Sequence, residues 1–232
     1  MKRAIAVLLT CLLLMTTALA DSPEESEREV VGYVALTFDD GPSGKLTERL
    51  LDGLKARNAR ATFFLCGYRM EDYGTAMDRY LEEGHEVGVH STVHTDLTKL
   101  TAEELHRDMK ETAQKVFVAT GVRPTLMRPP GGAYDENVLA EARAEGLGVV
   151  LWSVDPEDWR KHSASTVLAA MAGSVTNGDI VLMHDLSDSS VEAALRLIDS
   201  LQAQGYQFVT VSELAALSGQ TPMPGCVYND FH

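Results

Sequence analysis

Two adjacent carboxylates, Asp39 and Asp40, close a run of strand-forming residues that begins at Tyr33, and Gly41 and Pro42 follow them. Neighbouring side chains on a strand point to opposite faces, so these two groups are not placed for the same task. One is suited to hold a metal ion while the other takes a proton from water. An Asp-Asp pair before Gly-Pro more often marks a plain turn, and the metal reading needs partners elsewhere. His90 and His94 supply them directly after the strand-like segment 86–89. Two histidines four residues apart face one ion if the backbone between them turns helically. Alone the pair is weak, because many such histidines are solvated. With Asp40 at another strand end it makes a two-His, one-carboxylate set with open positions, which suits zinc or another divalent transition ion.

Three further segments end strand-like runs. In Arg128-Pro129-Pro130-Gly131-Gly132 the prolines stiffen the backbone and the glycines let a ligand approach main-chain amides. The arginine can hold a carboxylate through a forked pair, or simply cap a rigid surface loop. Asp155-Pro156-Glu157-Asp158-Trp159 sets an indole among acids, a platform for the apolar face of a sugar unless the ring is buried. Ile180 to Met183 is an apolar strand ending in His184, where a general acid would stand if the histidine is not a helix cap.

The elements that must position these groups alternate along the chain. Strands are expected at 33–38, 61–65, 86–89, 125–128, 148–153, 180–183 and 207–211. Amphipathic helices are expected between them at 45–57, 102–119, 136–145, 164–174 and 191–204, where apolar residues recur at three- and four-residue spacing. Gly84, Gly121, Gly146, Gly178 and Gly205 stand just past helical stretches, where a left-handed cap favours glycine. Seven strands alternating with helices indicate a parallel sheet, open or closed into a barrel.

The chain has 232 residues, enough for one α/β domain. Lys2 and Arg3 before an apolar run, with Ala18-Leu19-Ala20 after it, read as a secretory signal over 1–20, cleaved after Ala20 or kept as an anchor. Residues 21–31 read as an acidic linker, 32–217 as one folded domain and 218–232 as a surface tail. The formal charge of −14 becomes more acidic by two once Lys2 and Arg3 are removed. Such a surface repels nucleic acid and anionic membranes. Outside the signal, Cys66 and Cys226 either join in one disulfide or stay as thiols, and neither has the spacing of a zinc or redox motif. His85, His106, His162 and His232 are expected to fill turns, helix faces and the terminus.

Thr37-Phe38-Asp39-Asp40-Gly41, His90-Ser91-x-x-His94, Arg128-Pro129-Pro130-Gly131, Asp158-Trp159 and Leu182-x-His184 resemble, in order, the five motifs of the polysaccharide deacetylase family. These are the NodB-homology enzymes, also called carbohydrate esterase family 4. The resemblance covers about 33–217 and implies a single-domain, distorted (β/α)7 barrel with one divalent ion at its C-terminal face. It implies Zn2+, with Co2+, Mn2+ or Ni2+ as alternatives, held by Asp40, His90 and His94. It further implies Asp39 as general base held by Arg128, His184 as general acid tuned by Asp158, and Gly131, Trp159 and Leu182 along the sugar groove. Where this chain has Gly131 the family often has an aromatic residue, so the groove wall differs even if the backbone N–H still serves an oxyanion. The implied partner is an N-acetylated polysaccharide, peptidoglycan first and chitin-type polymers second, with no nucleic acid and no protein partner. An O-deacetylase of acetylated xylan and a non-catalytic carbohydrate-binding protein are the alternatives. The presence of Asp39 and of all three ligands argues against the second of these.

Overall fold

The computed structural model describes residues 29–72 and 76–232. The expected signal, and all but the last three residues of the expected linker, lie outside them. Each of the seven expected strands is present: β1 (Gly32–Asp39), β2 (Thr62–Cys66), β3 (Glu86–Ser91), β4 (Leu126–Met127), β5 (Gly148–Val150), β6 (Ile180–His184) and β7 (Tyr206–Val209). The expected helices correspond to α1 (Lys45–Ala56), α4 (Ala102–Thr120), α5 (Glu136–Ala144), α6 (Ala164–Met171) and α7 (Asp188–Gln202). Three short helices were not expected: α2 (Gly67–Asp72), α3 (Met77–Glu82) and α8 (Val211–Leu217). Each makes at most two turns, too few for a helical period to show.

All strand pairings are parallel, in the order β6-β1-β2-β3-β4-β5, and β7 pairs with the first half of β1 while β6 pairs with its second half. Beyond β5, Val154 bridges Val181 of β6, which draws the two ends of the sheet together into a distorted barrel. Strand alternation divides the core. Val34, Leu36 and Phe38 of β1 pack outward on Leu50, Leu51 and Leu54 of α1 and on Ala194 and Ile198 of α7. Ala35 points inward with Phe64, Leu126, Val150 and Ile180, against Val211, Leu214 and Ala215 of α8. Burial on both faces is why the strands read as continuous apolar runs. Inside, the Phe64 ring lies so close to β3 that a Cβ on Gly88 would stand 2.7 Å from it.

Helix α8 closes the N-terminal mouth of the barrel. Its first amides are capped by Thr210 and Glu213, and by strand residues: Val211 N donates to Thr62 Oγ1 at 2.9 Å and Ser212 N to Glu86 Oε2 at 3.1 Å. The C-terminal segment departs from the expected surface tail. Val227–Tyr228 forms β8, parallel to β5, Asp230 bridges Asp179, and Phe231 is buried against the barrel. A two-residue strand beside Pro222 and Pro224 carries no alternation to read. Cys66 and Cys226 are both free, the first buried and the second exposed.

Candidate active site

The C-terminal ends of the strands meet around a cleft of about 420 Å³. Asp39, Asp40, His90, His94, Gly131, Trp159, Leu182 and His184 line it, together with Trp152 and Asp155. The strand alternation that sends Phe38 outward sends Asp39 inward. Asp40 then leaves the strand at φ 71°, a left-handed conformation that turns its carboxylate toward the histidines. Ser91 (φ 125°) and His94 (φ 56°) also have positive φ, which side-chain-bearing residues rarely adopt. His90 and His94 therefore converge through a strained bend, not through the helical turn that their spacing invites. Non-glycine residues in such conformations persist where the surroundings over-determine them, often at ligand clamps. Here Asp108 of α4 provides that hold, accepting from Thr92 N at 3.0 and 3.2 Å.

His90 Nε2 and His94 Nε2 lie 3.3 and 3.4 Å from the same oxygen, Asp40 Oδ1. His90 Nδ1 faces the Arg128 carbonyl at 2.8 Å, so this nitrogen must be the donor. Nε2 then faces a carboxylate oxygen, to which it donates a hydrogen bond when the ring is charged and beside which it offers its lone pair to a cation when the ring is neutral. Burial alone would raise the Asp40 pKa, but the hydrogen bond from His90 and the charges of the nearby histidines outweigh it and hold the carboxyl below its usual range. Three converging donors of this kind, all within 4.8 Å, fit one divalent ion.

Arg128 is fully buried inside the barrel, stacked 4.3 Å from the Phe64 ring. The expected fork onto a carboxylate is not what it forms. Nη1 alone reaches Asp39 Oδ1 at 2.8 Å and Thr37 Oγ1 at 2.7 Å, while Nε and Nη2 donate to the carbonyls of Val150 and Leu151. The barrel's strand-end carbonyls take the remaining donors. With Oδ1 so engaged, Asp39 Oδ2 is left 3.8 Å from His90 Nε2, beside the ligand set.

His184 ends β6, and its Nδ1 lies 2.8 Å from Asp158 Oδ1 while its own N–H donates to Asp158 Oδ2 at 2.9 Å. This two-point hold by a buried carboxylate leaves Nε2 for the cleft. Burial opposes charge on the imidazole, yet the Asp158 hydrogen bond and the charges of Asp158, Asp39 and Asp40 outweigh it and raise the pKa to about 9. Trp159 is 64% exposed, as a stacking platform requires, and Leu182 is buried at the wall. Gly131 sits at φ 62° and, among the described residues, nothing stands within 4 Å of where a Cβ would be, so the wall is open where an aromatic side chain is often found in the family it resembles. Cys66 lies at the same strand ends, but burial, then Asp40 and Asp39, push its thiol pKa up, away from nucleophilic use.

Sequence reasoning missed Trp152 and Asp155 as cleft residues. Period-two counting inward from Val150 reaches Trp152, so that signal was present; Asp155 stands in an irregular loop and had none.

A family model described as polysaccharide deacetylase matches residues 27–150. The peptidoglycan-N-acetylglucosamine deacetylase PgdA of Listeria monocytogenes is 42% identical over 192 residues, which are 83% of this chain and 41% of that protein. The chain thus spans about two-fifths of the length of that relative. The structure of the peptidoglycan deacetylase PdaC from Bacillus subtilis superimposes with a TM-score of 0.77 at 38% identity, over 83% of this chain and 92% of that one. A family 4 acetyl xylan esterase from Clostridium thermocellum, in complex with a cobalt ion, gives 0.79 at 31% identity over 85% of this chain and 98% of that one. The matched region holds three of the five motifs, the remaining two stand in the same cleft, and the chain belongs to the polysaccharide deacetylase family.

Proposed function

We propose that this chain is a secreted, metal-dependent N-deacetylase that hydrolyses the acetamide of peptidoglycan sugars and releases acetate. The observation that carries the reading is the convergence of Asp40, His90 and His94 on one point beside the Asp39 carboxylate, with His184 on the same cleft. A divalent ion held by those three residues, zinc by the donor set, would supply Lewis-acid polarisation of the acetamide carbonyl and acidify water.

The chain's own groups account for the proton movements. Arg128 fixes Asp39 Oδ1, so Oδ2 is the oxygen aimed at the reacting centre, and it takes the proton as water attacks the carbonyl carbon. The C–O bond forms, the C–N bond breaks, and the amine leaves with a proton from His184 Nε2. With its pKa near 9, His184 is charged at neutral pH and ready to donate. The Gly131 N–H is assigned to the developing oxyanion. Trp159 and Leu182 seat the sugar ring.

Peptidoglycan is favoured as the polymer because relatives named for it match across most of this chain. Secretion rests on the leader-like residues 1–20, which would deliver the enzyme to that polymer. The xylan esterase neighbour supports O-deacetylation as the second reading. Acetate release from N-acetylated peptidoglycan, chitooligosaccharides and acetylated xylan, each with ion-free and zinc-restored protein, separates them. Zinc-dependent release from peptidoglycan is expected; release from xylan alone would replace amide hydrolysis by ester hydrolysis, and release from none would leave a binding role.

A further inference from the structure

Asp185 follows His184, is fully buried, and takes no part in the chemistry above. Its Oδ2 accepts from the Thr47 hydroxyl in the first turn of α1, while Oδ1 is buried with no hydrogen-bond partner among the described residues. Thr47 Oγ1 in turn accepts from Ser43 N at 2.7 Å, and the Ser43 hydroxyl donates to the Asp185 carbonyl. Main chain and side chain of Asp185 therefore grip one short turn, 41–43, from two sides. That turn begins directly after Asp40. Glycine at 41 permits the contact, since a Cβ there would stand 2.9 Å from Asp185 Oδ1. A buried carboxyl with a bare oxygen is costly and needs an explanation. Asp40 supplies one, because its left-handed backbone must be held by something outside itself.

We propose that Asp185 is a positioning residue that clamps the turn 41–43 to the end of β6, and so fixes the Asp40 carboxylate in relation to His184. One strand end then sets the spacing between the metal ligand just past β1 and the acid at the end of β6. The kinetic consequence rests on the deacetylase reading; the clamp itself does not.

Amide hydrogen exchange across 39–43 in the full chain tests the clamp, with cobalt affinity and kinetics measured alongside. In Asp185→Ala that segment is expected to exchange about tenfold faster or more, while β3 and α4 keep wild-type protection. The cobalt Kd is expected to rise and kcat to fall by about tenfold, with KM for a chitooligosaccharide within about twofold. Asp185→Asn keeps an acceptor for Thr47 and is expected to restore exchange and cobalt affinity. Thr47→Val breaks the same grip at nearly constant volume and is expected to repeat the alanine pattern, which covers the case of an alanine variant that does not fold. Unchanged exchange across 39–43 in either variant overturns the proposal, as does a lower Tm with cobalt affinity and kcat intact. A wild-type chain that binds no cobalt and releases no acetate counts against the deacetylase reading alone, because the exchange experiment needs neither.

Discussion

Arg128 and His184 show two ways of keeping a charge inside this barrel. Arg128 gives up water completely, and a carboxylate, a hydroxyl and two strand-end carbonyls replace it. Charges buried without such partners are far more costly than those with them. His184 is held charged by Asp158 and the cleft carboxylates, and that charge has a stability consequence with a definite sign. Its folded pKa is raised from 6.5 to about 9, so the contribution is complete below pH 6.5 and is lost as pH rises through about 9. In ion-free protein the loss over that window should reach at most about 3 kcal/mol. Thermal unfolding at a series of pH values should show the decline, and Asp158→Asn should flatten it. The same substitution should move the alkaline limb of the pH–rate profile to lower pH. An unchanged limb would separate Asp158 from the acid.

At the scale of elements, the period-two alternation of β1 explains why one of two adjacent aspartates faces the lumen beside Arg128, while the other needs a left-handed bend to reach the histidines. The same alternation sets the requirement at Gly88. An added Cβ would lie 2.7 Å from the Phe64 ring, and that ring carries Arg128 on its face. Gly88→Ala should therefore cost about 1–3 kcal/mol by overpacking. Chemical denaturation reads this directly, and a neutral result would mean that the ring has room to move. The strands and long helices were legible because apolar spacing runs through them. Helix α8 was not, since seven residues give no period, although the Thr210-x-x-Glu213 capping box announced its start. The loop 91–94 was legible in its residues but not in its path, because no spacing rule encodes Ser91 at φ 125°.

For the whole molecule, eight of the ten candidate residues line one cleft, and the other two, Arg128 and Asp158, hold cleft residues from behind. The position of the cleft was legible because strand ends carry its residues in recognisable types. Asp185 was not, because its meaning lies in a contact with Thr47 made 138 residues away. Long-range contact also explains the C-terminal segment, where Phe231 stacks on Tyr228 with ring centroids 5.3 Å apart and is 3% exposed. Phe231→Ala should cost about 3–5 kcal/mol and lower Tm, whereas a surface tail would lose nothing. The most direct test of the proposed chemistry is a zinc titration of acetate release from N-acetylated peptidoglycan, comparing wild type with His94→Ala. His94 is half exposed, so its loss should spare the fold. The expected result is an ion-free wild type that is silent and recovers at about one equivalent of zinc, with the variant needing at least about tenfold more. Full release by ion-free wild type, or recovery of His94→Ala at one equivalent, would contradict it.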